Sequence, residues 1–358
     1  MNQFCECEHD GWCNRYQRHM GGRFREICGA VNTDVGTAAV FRELWAREAG
    51  VKAVQIAEPP VPLLLKTNQA PGDAVAMTAA IHSLHRAHPG RYITAVHSLW
   101  DEVFEHNPDV VSAVGTLASK WHELWMHYPA IHQSNHRAIH FMQGWCEFLS
   151  AALGIHVPLL TNRPQLYFSD ETPPVEDYWV VCSGGKQDFT NKLWPGYQEV
   201  VNILKGKIRF MQVGASKDNH PELAGAMTFM RGKTTLRQLF DIVRRSRGVL
   251  CGVSLLMHVA AALEKPCVVI AGGREPVAWN AYPLQQYTHT VGALSCSDTQ
   301  GHVGGACWRS RVLPLGDGTM LDKNTCERPV DGIPECMRMI TPEHVAKLIS
   351  TTVACPRR

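Results

Sequence analysis

The sequence predicts an α/β protein built from two successive doubly wound domains with parallel sheets. Strand-length apolar runs alternate with amphipathic helical stretches, and the turns between them are short. The alternation stops once, at a polar stretch rich in proline, and then begins again. A chain of 358 residues with 45% hydrophobic residues is large enough to build two cores of ordinary size.

The first series of elements begins after Pro59-Pro60. Met77 and Ile81 fall on one face of a helical stretch that His88-Pro89-Gly90 ends, and Gly154 closes the last helix of the series. We predict strands at Leu63–Lys66, Tyr92–His97 and Val110–Val114, and helices at Ala74–Ala87, Leu99–Glu105 and Ser134–Leu153.

The second series follows a turn-rich stretch, residues 159–178. Thr341-Pro342 supplies a hydroxyl N-cap and a proline at the first helical position, so a last helix is expected to run to about Thr352. Before it we predict strands at Trp179–Ser183, Ile208–Val213, Gly248–Leu250 and Cys267–Ala271, and helices at Trp194–Leu204, Leu236–Arg245 and Met257–Glu264. The expected divisions are a cysteine-rich segment at 1–45, a first domain at 46–165, a linker at 166–178, a second domain at 179–294, a cysteine-rich module at 295–340, and a helix and tail at 341–358.

Charge and hydropathy exclude two classes of partner. The net charge is only +2, which is not the basic footprint of a nucleic-acid-binding protein. The chain has no apolar run of about 18 residues that would indicate a transmembrane helix. Its first residues lack the basic-then-apolar pattern of a secretion signal. We therefore expect a soluble cytoplasmic protein.

Asp73 is the most informative acidic residue. It follows a predicted buried strand and the turn residue Gly72, and it stands at the start of a predicted helix. A carboxylate held there can act as a general base in a cleft above the sheet. The same residue can instead cap the helix N-terminus. Local sequence alone leaves both interpretations open.

Three motifs in order resemble glycosyltransferase family 9, the heptosyltransferase-like group with the GT-B fold. They are Gly72-Asp73 with the following helix to His82-Ser83-Leu84, Lys192-Leu193-Trp194-Pro195, and a stretch from Gly232-Lys233-Thr234 to His258 and Lys265-Pro266. The resemblance spans residues 60–290 and implies two Rossmann-like domains that face each other across a cleft. It implies inverting transfer of a heptose or similar sugar from a nucleoside-diphosphate donor, favouring an ADP-sugar, to a hydroxyl of a glycan, protein or small molecule. No catalytic metal is expected.

The resemblance assigns roles to residues on both sides of that cleft. It favours Asp73 as the base that deprotonates the acceptor. Lys192, with Lys186 as a second candidate, would neutralise the departing diphosphate, although either lysine can also be a solvated surface residue. Ser254 precedes a helix whose N-terminus suits a phosphate, and it can cap that helix at the same time.

The chain departs from the family pattern just before its histidine. The family has an acidic residue and then Ser/Thr-Gly there, whereas this chain has Val253-Ser254-Leu255. His258 matches the family histidine, and we favour a packed, hydrogen-bonded role for it over a catalytic one. Candidates for weaker contacts with the nucleotide sugar follow predicted strand ends: Glu222, Arg274 and Glu275.

Thirteen cysteines without a secretion signal favour metal ligation over disulfides. One set has the spacing C-x10-C-x18-C-x9-C and comprises Cys296, Cys307, Cys326 and Cys336. It resembles the cysteine-rich tail of the autotransporter heptosyltransferase branch, which implies iron. Four thiolates favour a structural zinc or iron site, with buried free thiols as the alternative. A second set of the same kind comprises Cys5, Cys7, Cys13 and Cys28, and it is either a metal site or part of a disordered tail.

Two other functions remain open at this point. The altered residues Val253-Ser254-Leu255 leave room for a non-catalytic GT-B-like binding protein with structural metal sites. A GT-B sugar epimerase would need a different pair of acid and base residues. Release of a free nucleoside diphosphate from a nucleotide sugar distinguishes a transferase from the binding protein.

Overall fold

The protein, a computed structural model, is described at residues 59–112, 120–127, 138–185, 190–216, 218, 222–297, 306–307 and 325–354. The N-terminal cysteine set, Cys5, Cys7, Cys13 and Cys28, and Lys186 lie outside the described residues. In chain order the elements are β1 (Val61–Thr67), α1 (Pro71–Ala87), β2 (Tyr92–Ser98), β3 (His122–Trp125), α2 (Phe141–Leu153), β4 (Trp179–Cys182), α3 (Tyr197–Ile203), β5 (Phe210–Gln212), β6 (Thr228–Phe229), α4 (Leu236–Arg245), β7 (Gly248–Gly252), α5 (Leu255–Ala262), β8 (Cys267–Gly272), α6 (Val277–Asn280), β9 (Gln285–His289), β10 (Pro329–Val330), β11 (Ile333–Pro334), α7 (Glu335–Arg338) and α8 (Pro342–Ala354).

The N-terminal half is built on a parallel three-stranded sheet in the order β2-β1-β3. Leu63, Leu65 and Thr67 point to one face of the central strand and are buried there. α1 and α2 contribute to the same core, and eleven residues of α1 are buried. A short connection follows the carboxyl end of β1, and the first turn of α1 after it carries Asp73.

The C-terminal half is built on a parallel six-stranded sheet in the order β6-β5-β4-β7-β8-β9. Residues of β4, β7 and β8 are buried throughout, as expected for central strands covered on both faces. The chain winds outward from β4 to β6, then returns to the middle and winds outward again from β7 to β9. The strand order therefore reverses between β4 and β7, which is where doubly wound sheets bind ligands.

The two halves pack directly against each other through α1 and α5. A Cβ added at Gly72, in the first turn of α1, would lie 3.0 Å from Cδ2 of His258 and 3.4 Å from Cα of Leu255. The apolar core is continuous from Leu63 of β1 to Val269 of β8. The N-terminus of α1 is consequently held against the first turns of α5.

The connection between the halves is fixed along its length. The backbone N–H of Gln165 donates to the Thr78 hydroxyl of α1, and the Arg163 guanidinium donates to the carbonyl of Ala262 in α5. Farther on, the Phe168 ring lies between two arginines of α4, with guanidinium carbons 4.5 and 4.2 Å from its centroid. The segment that connects the halves therefore contacts helices of both of them.

The structure corrects several predicted elements. The stretch predicted as a helix at Leu99–Glu105 forms only a 3₁₀ turn at Asp101–Val103, and α2 begins at Phe141 rather than Ser134. Val110–Ser112 are not in a strand, and the third strand of the sheet is β3 instead. The strands β6 and β9 were not predicted, because β6 has two residues and β9 is a polar edge strand with the sequence QQYTH. No helix within the described ranges is both long and apolar enough to span a membrane.

Candidate active site at the strand crossover

The residues that follow β4 and β7 meet at the point where the strand order reverses. Lys192 ends a 3₁₀ turn that follows β4, and Ser254 follows β7 immediately before α5. The Lys192 ammonium donates to the carbonyl of Val253 at 3.3 Å. This contact places a cation at the N-terminal end of α5.

A buried carboxylate lies beside that cation. Glu275 is only 2% exposed, and its Oε1 lies 2.9 Å from Nζ of Lys192. The Arg274 guanidinium contacts the same oxygen, and Asn280 Nδ2 donates to Oε2 at 2.9 Å. Burial lowers the pKa of Arg274 to about 10, so this group stays cationic at neutral pH. Two cations and one anion leave the cluster with a net positive charge, which suits an anionic ligand.

The N-terminus of α5 adds hydrogen-bonding groups to the cluster. Ser254 occupies the N-cap position, yet its side chain makes no capping bond. Its Oγ is enclosed and forms no hydrogen bond of good geometry among the described residues, and the Cys251 thiol lies close to it. The first backbone N–H groups of a helix and its positive dipole end favour a phosphate.

Asp73 lies in the first turn of α1, beside this cluster. Its Oδ2 accepts a hydrogen bond from the backbone N–H of Ala70 at 3.1 Å, so the carboxylate caps the helix. Burial, together with the charge of Asp73, raises the pKa of the Tyr282 hydroxyl. Asp73 of the N-terminal half and Tyr282 of the C-terminal half are therefore close enough to interact electrostatically. The Asp73 carboxylate therefore caps α1 and also lies at the junction of the two halves.

His258 is a neutral, packed histidine. Its Nδ1 shares a hydrogen bond of 2.7 Å with the Tyr282 hydroxyl, and its ring meets Phe141 edge-on. Burial, with the nearby charges of His140 and Lys192, lowers the pKa of His258 to about 3. The ring therefore carries no charge at neutral pH and contributes shape and a hydrogen bond to the junction.

The structure brings together six of the predicted site residues: Asp73, Lys192, Ser254, His258, Arg274 and Glu275. Glu222 stands apart, exposed in the loop that follows β5, and no described contact connects it with this cluster. Sequence reasoning missed Tyr282 and Asn280. Their positions soon after the β8 strand end were a weak signal, but partners 24 and 5 residues away cannot be inferred from spacing.

The C-terminal cysteines converge on one small pocket. It is lined by Leu294, Cys296, Cys307, Cys326, Glu327, Arg328, Glu335 and Cys336. Burial and the surrounding thiols raise the pKa of Cys336 to about 11. No three metal-ligating side chains of the described chain are arranged to hold an ion, although the donor set is the one that a tetrathiolate site requires.

This pocket is joined to the loop that carries Arg274 and Glu275. The backbone N–H of Cys307 donates to the carbonyl of Gly273 at 3.1 Å, and the Thr290 hydroxyl donates to the carbonyl of Cys336 at 2.9 Å. A Cβ added at Gly273 would lie 3.2 Å from Cβ of Cys336. The cysteine pocket therefore supports one wall of the candidate site.

A family model for glycosyltransferase family 9 (heptosyltransferase) matches residues 125–303, which is half of the chain. The chain belongs to glycosyltransferase family 9. It is accordingly an enzyme that transfers a glycosyl group. The matched region contains Lys192, Ser254 and Glu275, whereas Asp73 precedes it.

Solved structures place this family 9 chain in the GT-B fold. The iron-containing dodecameric glycosyltransferase TibC from enterotoxigenic E. coli H10407 aligns with a TM-score of 0.59 and 17% identity, covering 83% of this chain and 77% of TibC. A complex of TibC with ADP-D-beta-D-heptose aligns with a TM-score of 0.58 and 17% identity, covering 82% of this chain and 77% of that one. A family 9 glycosyl transferase from Veillonella parvula DSM 2008 gives a TM-score of 0.60 at 12% identity, covering 83% and 98%. No curated protein matches the sequence.

Proposed function

We propose that this family 9 enzyme transfers a heptose or a closely related sugar from an ADP-activated donor to a hydroxyl acceptor. The supporting observation is the cationic cluster at the strand crossover, which lies inside the region matched by the heptosyltransferase family. TibC, which shares the fold, has been solved with ADP-D-beta-D-heptose. We assign the acceptor to the N-terminal domain, residues 46–165, and the nucleotide sugar to the C-terminal domain, residues 179–294.

The diphosphate of the donor is expected to bind at the N-terminus of α5. Lys192 and Arg274 supply positive charge there, and the backbone N–H groups and Ser254 Oγ supply hydrogen bonds. When the bond between the anomeric carbon and the diphosphate breaks, negative charge increases on the departing oxygen. Fixed cations and dipoles at that position stabilise the transition state more than the bound ground state. We propose that these protein groups, rather than a catalytic metal, carry this charge.

Asp73 is proposed as the general base. Its carboxylate would accept the acceptor hydroxyl's proton while that oxygen attacks the anomeric carbon from the face opposite the departing ADP. One displacement of this kind inverts the anomeric configuration. Deprotonation by a positioned base contributes about 10²–10⁴-fold to the rate. The support for this role is the position of Asp73 in the first turn of α1, packed against the proposed donor site.

We also propose that Cys296, Cys307, Cys326 and Cys336 hold one structural zinc or iron ion. Their convergence on one pocket supports the proposal, and a metal ion would release the protons that burial keeps on these thiols. TibC, which shares the fold, is iron-containing. Elemental analysis of protein purified without added metal tests the assignment. We expect about one zinc or iron per chain at this site, and four freely titratable thiols in metal-free protein would refute it.

The proposed transfer is tested by incubating the purified enzyme with labelled nucleotide sugars. ADP-heptose should release ADP when a hydroxyl acceptor is present, and the anomeric configuration of the product should be opposite to that of the donor. UDP- and GDP-sugars are the matched controls for the nucleotide. Binding of ADP-heptose without any release of ADP, across glycan, protein and small-molecule acceptors, would refute the transfer.

A further inference from the structure

Among the side chains that form ion pairs at the candidate site, Glu275 is the most deeply buried. It lies in the turn between β8 and α6, with 2% of the residue exposed. Moving a carboxylate out of water is costly, and the cost is offset only when the charge is paired and its oxygens accept hydrogen bonds. Lys192 and Arg274 pair with Oε1, and Asn280 binds Oε2. Both oxygens therefore have defined partners, which fixes the orientation of the carboxylate.

Lys192 is in turn held between two acceptors from different elements. Its ammonium contacts Glu275 Oε1 at 2.9 Å and the carbonyl of Val253 at 3.3 Å. A lysine side chain has four rotatable bonds, and its charge is otherwise free to move over several ångströms. The two contacts fix it at the start of α5, where the helix N–H groups lack partners within the helix.

Among the described residues, the strand side of this lysine offers a backbone acceptor and no carboxylate. Residue 253, whose carbonyl contacts the ammonium, is a valine with a side chain buried in the apolar core. The negative charge 2.9 Å from the ammonium therefore comes from the turn after β8.

We propose that Glu275, in the β8–α6 turn, is a positioning residue for Lys192. The inference deepens the proposed function, since it concerns the lysine assigned to the donor diphosphate. Glu275 acts through Lys192 and is not assigned a contact with the reacting atoms. Glu275 fixes the position of the Lys192 ammonium, and its negative charge also cancels part of the local positive charge.

Binding of ADP alone separates positioning from a simple charge effect. Removing a negative charge beside an anion site strengthens anion binding if charge is all that matters. If Glu275 positions Lys192, the variant Glu275→Gln should instead weaken ADP binding by roughly ten- to a hundredfold, the loss expected for one charge-assisted hydrogen bond. Calorimetric titration with ADP measures this without an acceptor. Glu199→Gln, which removes the same charge from the exposed surface of α3, is the matched control and should bind ADP like the wild type.

The decisive comparison removes the lysine through which Glu275 is proposed to act. Lys192→Met alone should weaken ADP binding, and adding Glu275→Gln to it should cause no further loss, because a residue that acts through Lys192 has no effect once the ammonium is gone. A merely structural role for Glu275 would lower ADP affinity by the same factor in both backgrounds. If Glu275→Gln fails to fold, Glu275→Asp, which keeps the charge but draws it back by one methylene group, should weaken ADP binding in the same direction.

Two results would overturn the proposal: ADP binding by Glu275→Gln as tight as or tighter than wild type, or a loss caused by Glu275→Gln that is as large in the Lys192→Met background as in the wild type. Failure of the proposed function looks different. In that case the wild type itself would release no ADP from ADP-heptose, whatever residue stands at 275.

Discussion

Gly72 provides the sharpest test of how the two halves of the enzyme meet. The substitution Gly72→Ala adds one methyl group in the first turn of α1. That carbon would lie 3.0 Å from Cδ2 of His258 and 3.4 Å from Cα of Leu255, against ordinary carbon contacts of about 3.5–4.0 Å. The His258 ring cannot retreat freely, because Tyr282 holds its Nδ1 at 2.7 Å. The start of α1 must therefore move away from α5.

Two opposing contributions set the effect on stability. In a helix interior, alanine has a more favourable helix propensity than glycine by up to about 1 kcal/mol, and the difference is smaller in a first turn. Overpacking of a well-packed contact costs about 1–3 kcal/mol. We expect a net loss of about 1–2 kcal/mol in the free energy of unfolding, measured by urea denaturation. Because Asp73 is the next residue, we also expect turnover of ADP-heptose to fall about 10- to 100-fold, with ADP affinity changed far less.

A double-mutant cycle identifies the cause. If contact with the imidazole is responsible, Gly72→Ala should cost less in a His258→Ala background than in the wild type, by about 1 kcal/mol. The reasoning is refuted if Gly72→Ala stabilises the enzyme by the helix-propensity gain and leaves turnover unchanged, since α1 would then not be held against α5.

Two further predictions concern pH and the cysteine pocket. Burial lowers the pKa of His258 to about 3 and that of His140 to about 4 in the folded protein, from an ordinary value of 6.5. Below pH 6.5 the unfolded chain therefore binds more protons than the folded one. The free energy of unfolding should decrease by about 1.4 kcal/mol per pH unit for each histidine as the pH falls. Urea denaturation at about pH 7 and about pH 5 measures this, and a slope no steeper in wild type than in a His258→Asn variant contradicts it. The second prediction rests on the metal ion proposed at the C-terminal cysteines. Removal of that ion with a chelator should weaken ADP binding, because Cys307 and Cys336 contact the loop at Gly273. Equal ADP affinity, once elemental analysis has shown the metal to be gone, contradicts that link.

Sequence reasoning succeeded where one local pattern decides the outcome. The periodicity of α4 gave both of its ends correctly, and the buried apolar runs of β4 and β8 were found to within one residue. The family 9 resemblance and the GT-B fold are confirmed by the family match and by the solved structures. These features depend on residues close together in the chain or on motifs in a fixed order.

The pairings within the site could not be predicted in the same way. Lys192 meets Glu275, and Asp73 comes near Tyr282, only because the strand crossover and the packing of α1 on α5 bring distant segments together. The local sequence around Lys192 is equally compatible with a surface lysine. Whether an acid lies beside it is decided by the turn after β8, 83 residues later in the chain.

The role of Asp73 is tested most directly by Asp73→Asn. Asparagine keeps an oxygen that can accept the Ala70 N–H, so the helix cap is preserved while the base is lost. The measurement is the rate of ADP release from ADP-heptose under saturating donor and acceptor, alongside calorimetric binding of the donor. We expect a rate lowered by about 10²–10⁴-fold, with donor affinity and stability close to those of the wild type. A variant that transfers sugar at the wild-type rate would show that the carboxylate is a helix cap and that another group removes the proton.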